Sequence, residues 1–270
     1  MIAGGTRLVG LVGSPVAHSL SPRMQNAAFA ARGLDWAYVP LPVEAGRLEA
    51  AVAGLVALGF AGANVTIPHK TGAVAFCDEL DPAAERAGSV NTLVVSGDGR
   101  VLGSSTDGLA VTEAVEVSGA RVLLLGAGGA AQAVATALVD GGAASLVVAA
   151  RSRERAEALV ARVRTVAPAA DVEAASGWPP DAGDATLVVH ATPVRDAPLV
   201  AVGAGRALVD LAYRPDGRPT ALVEAARTAG CTTVVDGLEI LVRQGAASFE
   251  RWTGVDAPLD TMRAAVRSAG

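Results

Sequence analysis

The segment VLLLGAGGAAQAV, residues 122–134, contains the clearest structural signal in the chain. An apolar run of strand character leads into a glycine-rich turn in which Gly126, Gly128 and Ala131 follow the spacing G-x-G-x-x-G/A, and a helix-forming segment follows. Glycines at these positions permit a tight turn and close approach of the backbone to a pyrophosphate, whose charge the helix N-terminus stabilises. Because strand, turn and helix occur together, the stretch predicts a dinucleotide-binding βαβ unit rather than a merely structural turn.

The next strand, residues 145–149, is followed by RSRER, where an NAD site of this type usually carries an acidic residue. A carboxylate would repel a 2′-phosphate, whereas the guanidinium groups of Arg151 and Arg155, four residues apart, could bind it together with the Ser152 hydroxyl. Arg153 is expected to point elsewhere. The alternative is that these arginines are only solvated charges, but cations at a helix N-terminus oppose its dipole. The pattern therefore favours NADP(H) over NAD.

On both sides of this segment, strand-length apolar runs alternate with helical segments almost from end to end, which predicts an α/β fold with largely parallel sheets. We expect two domains with a cleft between them. An N-terminal α/β domain would comprise residues 1–104, and the C-terminal helices in 237–270 could pack against either unit. A Rossmann-type NADP-binding domain would comprise residues 105–236. Strands are predicted at 7–12, 36–40, 62–66, 92–95, 100–103, 122–125, 145–149, 186–189, 207–211 and 232–235. Helices are predicted at 22–32, with Ser21 as N-cap, and at 47–58, 72–78 and 109–117.

Bulk composition excludes several functional classes. The formal net charge of -5 and the isoelectric point near 5.3 give no electrostatic basis for nucleic-acid binding. Mean hydropathy is +0.40, yet no uninterrupted apolar run approaches the ~20 residues of a membrane span. Without a recognisable secretory signal, we expect a cytoplasmic protein. Cys77 and Cys231, and three isolated histidines, lack metal-ligand spacing, so we expect buried thiols and no metal.

The segment NVTIPHK, residues 64–70, ends in Lys70, the only lysine among 22 lysine and arginine residues. Hydride transfer to a carbonyl carbon requires a proton for the oxygen, and arginine, always protonated, cannot supply it. Lys70 is therefore a candidate proton donor, with compositional chance as the alternative. Asp107, in GSSTDG at the junction of the two units, is a second candidate, and it could equally be a helix N-cap.

Taken together, these residues resemble those of the shikimate dehydrogenase family. The matching motifs occur in family order and cover nearly the whole chain. They are GSPVAHSLSPRMQNAAF (13–29), GANVTIPHK (62–70), AGSVNTL (87–93), STDG (105–108), GAGGAA (126–131), DLAYRPDGRPT (210–220) and DGLEILVRQGAASFERWTG (236–254).

The resemblance implies NADPH-dependent reduction of 3-dehydroshikimate to shikimate, a step toward aromatic amino acids, with a small-molecule substrate and no metal. It also implies that residues 1–104 form an N-terminal α/β substrate domain, completed by C-terminal helices in 237–270. It implies that Lys70 and Asp107 are the catalytic pair, and which of them formally carries the proton stays open. Implied substrate contacts are Ser19 and Ser21 for the carboxylate, Tyr213 near it, and Thr66, Asn91 and Gln244. Implied cofactor contacts are Gly126, Ala127, Gly128, Gly129, Ala130, Arg151, Ser152, Arg155, Thr192, Leu211 and Gly237.

Several positions depart from the family pattern. Ser105 stands where Asn is usual, Gln25 where His is common, His190 where Asn is typical, and Glu239 where Gly is common; Arg195 is a further departure. Three interpretations remain open: the shikimate enzyme, a relative acting on quinate or an amino analogue, and a non-catalytic NADP-binding regulator. Retention of Lys70 and Asp107 argues against the regulator. The protein could be a monomer or a homodimer, and the amplitude of any domain closure is also open.

Overall fold

The computed structural model describes residues 2–268 and divides into two compact units. Unit 1 comprises Met1–Thr106 and Leu241–Gly270, and unit 2 comprises Asp107–Ile240. Each unit has its own six-stranded sheet covered by helices. Both are α/β, which confirms the predicted fold class.

Unit 1 begins with strand and helix in alternation. Its strands are β1 (Arg7–Gly13), β2 (Trp36–Pro42), β3 (Gly62–Val65), β4 (Glu79–Leu80), β5 (Thr92–Val95) and β6 (Val101–Ser104). Its first helices are α1 (Ser21–Ala31), α2 (Leu48–Ala57) and α3 (Pro82–Ala87), with a 3-10 helix at Gly72–Phe76.

The sheet of unit 1 has the order β2-β1-β3-β5-β6-β4. Strand β1 pairs parallel with β2 and β3, whereas β5 runs antiparallel to both β3 and β6. A mixed sheet results, in contrast to the largely parallel one expected. Because of these strand directions, the carboxyl ends of β1, β3 and β6 and the amino end of β5 all lie at one end of the sheet.

Unit 2 is organised around the strand, turn and helix of residues 122–134. Its elements are α4 (Asp107–Thr112), β7 (Arg121–Leu125), α5 (Gly129–Asp140), β8 (Ser145–Ala149), α6 (Arg153–Val166), β9 (Val172–Ala174), β10 (Leu187–His190), β11 (Ala207–Asp210), α7 (Ala221–Thr228) and β12 (Thr233–Val235). All its strand pairs are parallel, in the order β12-β11-β10-β7-β8-β9. Counted within the unit, this is the doubly wound dinucleotide-binding order.

The packing of strand β7 explains why residues 122–125 are all apolar. Val122 and Leu124 belong to one hydrophobic core, and Leu123 and Leu125 belong to another. Successive side chains of a strand point to opposite faces, so a strand covered on both faces needs apolar residues at every position.

The chain ends with α8 (Gly237–Thr253) and α9 (Leu259–Arg267). The first turn of α8 belongs to unit 2 and the remainder to unit 1. Within unit 1, Phe249 of α8 stacks on Phe29 of α1 with ring centroids 5.3 Å apart. The indole of Trp252 donates a hydrogen bond to the carbonyl of Leu93 at 2.9 Å. Helix α8 is thereby fixed against both α1 and β5.

Local predictions were wrong in several places. Helix α1 begins at Ser21 with Leu20 as N-cap, and leucine has no side-chain acceptor for a capping bond. The Ser19 hydroxyl accepts the Ser21 N–H. The segment after Lys70 is a 3-10 helix rather than an α-helix, and short elements such as β4, α3 and β9 were not predicted. Cys77 and Cys231 are free but only half-buried. No helix within residues 2–268 is long and apolar enough to cross a membrane.

Candidate functional site

The glycine-rich turn of unit 2 lies where β7 and its parallel neighbour β10 both end. Gly126 has φ 122°, and a Cβ there would lie 2.7 Å from the carbonyl oxygen of Ala191. The Gly126 N–H is bonded to Ala149 O at 2.8 Å, which ties the turn to β8. Only glycine fits this position, because a side chain would meet both a disfavoured backbone conformation and a fixed carbonyl.

Gly128 is the N-cap of α5 and makes no side-chain capping bond. A Cβ added at Gly128 would have no heavy atom within 4 Å, and the first turn of α5 contains no acidic residue. Open space beside the first backbone N–H groups of α5 fits a pyrophosphate. The other residues of this turn with a cofactor role in the prediction are Ala127, Gly129 and Ala130, all half-buried.

The arginines predicted to bind a 2′-phosphate surround the N-terminus of α6. Ser152 is the N-cap, and its hydroxyl accepts the Arg155 N–H at 3.3 Å. Arg153 pairs with Glu157 at 2.7 Å. Arg151 and Arg155 are exposed, and neither has an ion-pair partner within residues 2–268. Two of the three guanidinium groups therefore remain available to an anion, and Arg153 is the one already neutralised.

Three further predicted cofactor residues, Thr192, Leu211 and Gly237, flank the same end of the unit 2 sheet. The side chain of Thr192 lies 3.4 Å from where a Cβ of Gly126 would be. A Cβ on Gly237 would lie 3.0 Å from Leu211 O and still closer to Ala212 O. Gly237 must therefore be glycine so that the backbone after β11 can approach the start of α8. Tyr213, half-buried, follows Leu211 on the same segment.

In unit 1, predicted substrate residues lie in segments that adjoin one end of the sheet, the end shared by β1, β3, β5 and β6. The segment with Ser19 and Ser21 follows β1, and the segment with Thr66 and Lys70 follows β3. A Cβ on Gly13, the last residue of β1, would collide with the Thr66 side chain, so these two segments are in contact. The Lys70 carbonyl accepts the Val90 N–H at 2.8 Å, which connects the lysine segment to the one leading into β5.

Asn91, the residue before β5, is 2% exposed, and both polar atoms of its side chain are hydrogen-bonded. Its Oδ1 accepts the Thr106 N–H at 2.9 Å, and its Nδ2 donates to Thr106 Oγ1 at 2.8 Å. Nδ2 also reaches Gln244 Oε1 at 3.5 Å, and Thr106 Oγ1 bonds the Gln244 carbonyl at 3.1 Å. The structure thus brings two predicted substrate residues, Asn91 and Gln244, together through Thr106.

A deeper layer supports this arrangement. Asn64 Nδ2 donates to Ser248 Oγ at 2.9 Å and to Thr92 Oγ1 at 3.2 Å, and Thr92 Oγ1 lies 2.8 Å from Ser248 Oγ. Tyr38 donates its hydroxyl hydrogen to Asn64 Oδ1 at 3.0 Å, and Thr92 Oγ1 donates to Asn91 Oδ1 at 3.1 Å. We refer to the whole set as the polar network. Its members are Tyr38, Asn64, Asn91, Thr92, Thr106, Gln244 and Ser248.

Sequence reasoning missed most of the polar network. One signal was available, since Gln244 and Ser248 stand four residues apart on α8 and so lie on the same helical face. The other members come from strands and loops distant in sequence, and only the fold brings them together. Two of the departures from the family pattern lie in unit 1 as well: Gln25 Oε1 and Ser105 Oγ are buried, without a hydrogen-bond partner among the described residues.

The two predicted catalytic residues belong to different units. Lys70 is half-buried in unit 1, between β3 and the 3-10 helix. Asp107 is 5% exposed and is the first residue of both unit 2 and α4. Asp107 lies in the first turn of α4, where a negative charge is favourable to the helix dipole.

Comparison with known proteins gives consistent results along the chain. A shikimate dehydrogenase substrate binding domain model matches residues 11–93, a shikimate / quinate 5-dehydrogenase model matches residues 108–176, and a shikimate 5'-dehydrogenase C-terminal domain model matches residues 237–267.

Individual proteins are similar over nearly the full length. Shikimate dehydrogenase (NADP(+)) of Rubrobacter xylanophilus is 46% identical over 100% of this chain and 98% of its own. A shikimate dehydrogenase solved in complex with NADP+ aligns with TM-score 0.90 and 33% identity, covering 99% of this chain and 97% of that one. The shikimate 5-dehydrogenase of Thermus thermophilus, solved with NADP(H) and shikimate, has TM-score 0.85 and 33% identity, covering 98% of this chain and 100% of that one.

Proposed function

Because the chain belongs to the shikimate dehydrogenase family, we propose that it catalyses the reversible, NADPH-dependent reduction of 3-dehydroshikimate to shikimate. One observation carries the proposal: the motif segments with Ser19, Ser21, Thr66, Lys70 and Asn91 all adjoin one end of the unit 1 sheet. Residues scattered over some seventy positions of sequence are thereby available to one small ligand.

Unit 2 fits the dinucleotide. Gly126 and Gly128 would admit the pyrophosphate beside the first turn of α5, and Arg151, Arg155 and Ser152 would bind the 2′-phosphate. Thr192, Leu211 and Gly237 would contact the remainder of the cofactor. NADPH, when bound, supplies the hydride.

Unit 1 would bind the substrate. Ser19 and Ser21 would donate hydroxyl hydrogen bonds to the carboxylate, a role that also includes Tyr213 of unit 2. Thr66, Asn91 and Gln244 would bind the ring hydroxyl groups. Amide and hydroxyl side chains suit the uncharged ring hydroxyl groups because their hydrogen bonds are directional. The bond of Asn91 Nδ2 to Thr106 Oγ1 and the bond of Gln244 Nε2 to the Leu241 carbonyl fix both amides before the substrate arrives.

Lys70 would complete the chemistry in the reductive direction by donating a proton to the carbonyl oxygen of the substrate. Its positive charge would also stabilise negative charge developing on that oxygen. Asp107 is proposed as the second residue of the catalytic pair. The two backbone bonds around Lys70, from Val90 N to Lys70 O and from His69 N to Thr66 O, hold the lysine segment in place.

A second candidate is quinate dehydrogenation, because the family model that matches residues 108–176 describes both shikimate and quinate enzymes. The test is a spectrophotometric assay with shikimate or quinate, each with NADP+ or NAD+. We expect reduction of NADP+ by shikimate to be the fastest combination. Faster turnover with quinate would select the second candidate, and no turnover with either acid would favour a regulatory NADP-binding protein.

We propose that the protein acts in the cytoplasm.

A further inference from the structure

His190, a departure from the family pattern, is the centre of a buried relay in unit 2. His190 and Asp210 both have side chains that are 0% exposed, and they end the neighbouring strands β10 and β11. His190 Nδ1 lies 2.8 Å from Asp210 Oδ1, and His190 Nε2 lies 2.5 Å from Thr192 Oγ1. The chain of contacts therefore runs from Asp210 through the imidazole to Thr192.

The direction of each hydrogen bond follows from the partners of Asp210. Its Oδ1 accepts the Ala212 N–H at 2.8 Å, and its Oδ2 accepts the Thr220 hydroxyl at 2.5 Å. A carboxylate surrounded by donors is itself an acceptor, so His190 must carry its hydrogen on Nδ1. In the neutral imidazole, Nε2 is then an acceptor, and the Thr192 hydroxyl must donate its hydrogen to it.

Thr192 is thereby left as an acceptor only. Its oxygen already accepts the Val194 N–H at 3.3 Å, and a lone pair remains. The Thr192 side chain lies against Gly126, 3.4 Å from the position that a Cβ of this glycine would occupy, at the end of the sheet where β7 and β10 both end. Ligands of doubly wound folds bind outside these carboxyl ends, at the point where the strand order reverses.

We propose that His190 and Asp210 are positioning residues that hold Thr192 as a hydrogen-bond acceptor for a donor group of the bound dinucleotide. This inference rests on the proposed NADPH-dependent function and deepens it. The donor is either a ribose hydroxyl or the carboxamide NH2 group. These are the groups of the nicotinamide half that can donate an O–H or N–H hydrogen.

The experiment is titration of NADPH against the full chain, followed by cofactor fluorescence, with dissociation constants compared among variants. Thr192→Val removes the hydroxyl and preserves shape, and we expect about five- to tenfold weaker binding. Thr192→Ser restores the hydroxyl and should bind nearly as the unaltered chain does. Thr228→Val is the matched control, since Thr228 is exposed at the end of α7 and bonds only Glu224 O in the same helix.

His190→Asn tests the inner part of the relay. Its amide can still donate to Asp210 but is too short to reach Thr192. We expect the same loss of affinity as in Thr192→Val, and the double variant should lose no more than either single one. Should His190→Asn fail to fold, the contrast between Thr192→Val and Thr192→Ser decides the matter alone, because neither removes the buried imidazole.

Repeating the titrations with the reduced 3-acetylpyridine analogue, which lacks the amine, identifies the donor. Loss of the Thr192→Val effect with the analogue assigns the carboxamide, and persistence assigns a ribose hydroxyl. Unchanged NADPH affinity in both Thr192→Val and His190→Asn, or additive losses of affinity in the double variant, would overturn this inference but leave the proposed function standing. Failure of the unaltered chain to bind NADPH would overturn the proposed function and the inference with it.

Discussion

The proposed ligand sites of the two units are built in opposite ways. In unit 1, the polar network consists of side chains that satisfy one another, and Asn64, Asn91 and Thr106 are each 5% exposed or less. In unit 2, the turn at Gly126 and Gly128 offers backbone and open space. The uncharged ring hydroxyl groups of the proposed substrate need fixed directional partners, whereas a pyrophosphate needs N–H groups and close approach of the backbone.

This difference predicts how substitutions behave. A change at one residue of the polar network should weaken the whole network, because removing one buried partner leaves the hydrogen bonds of others unsatisfied. A change at the exposed arginines of unit 2 should act locally on cofactor affinity, because these side chains support little else in the fold.

The largest effect is expected at Lys70. Lys70→Ala should lower kcat by about a hundredfold or more while NADPH affinity stays unchanged, since it removes proton donation and the positive charge at the substrate oxygen but no proposed cofactor contact. The matched variant is Lys70→Arg, which keeps the positive charge but cannot release a proton near neutral pH. Both variants should be slow if proton transfer is the essential role. Turnover close to that of the unaltered chain in Lys70→Ala would remove Lys70 from the mechanism.

Replacing Arg151 and Arg155 together by Ala should weaken NADPH binding by roughly ten- to a hundredfold, through the loss of charged hydrogen bonds to the 2′-phosphate. Binding of NADH, which lacks that phosphate, should not change. Arg153→Ala is the control, because Arg153 is already paired with Glu157. An equal loss for NADPH and NADH would show that the arginines do not read the 2′-phosphate.

Ser248→Ala should raise KM for shikimate several-fold and lower the melting temperature, because it leaves Asn64 and Thr92 short of a buried partner at a cost of about 1–3 kcal/mol. KM for NADPH should be unaffected. Ser96→Ala, at an exposed turn of the same unit, is the control and should change neither quantity. A melting temperature equal to that of the unaltered chain would mean that the polar network is not cooperative.

The smallest effect concerns Cys77, whose pKa burial raises from 9.0 to about 11, with Asp78 adding to the shift. A thiol that holds its proton more tightly when folded stabilises the fold fully below pH 9, and this contribution is lost as pH rises through 11. Urea unfolding should therefore show the stability difference between the unaltered chain and Cys77→Ala shrinking from about pH 8 to about pH 11. A difference independent of pH would contradict the burial effect.

Sequence reasoning predicted unit 2 more completely than unit 1, and the reason is local. Residues 122–134 contain strand, turn and helix in one continuous stretch, so periodicity and glycine spacing sufficed. The RSRER segment likewise identified the two arginines that have no ion-pair partner within residues 2–268, although a phosphate contact there remains a prediction.

The polar network depends on contacts that no local pattern encodes. Asn64 and Ser248 lie 184 positions apart and meet only because α8 packs on the unit 1 sheet. His190 was recognised as a departure, but its partner Asp210 could be found only once β10 and β11 were known to be neighbours. Short elements such as β9 failed for a related reason, since three residues carry too little periodicity to be recognised.

Unit 2 should recognise the cofactor through backbone that only glycine allows, separately from substrate recognition by unit 1. Calorimetric titration of Gly126→Ala with NADPH and with shikimate tests this separation, using Gly203→Ala, where a Cβ meets nothing within 4 Å, as the control. We predict that Gly126→Ala loses most NADPH affinity and retains its affinity for shikimate, and that the control keeps both. Retention of full NADPH affinity in Gly126→Ala would contradict the separation.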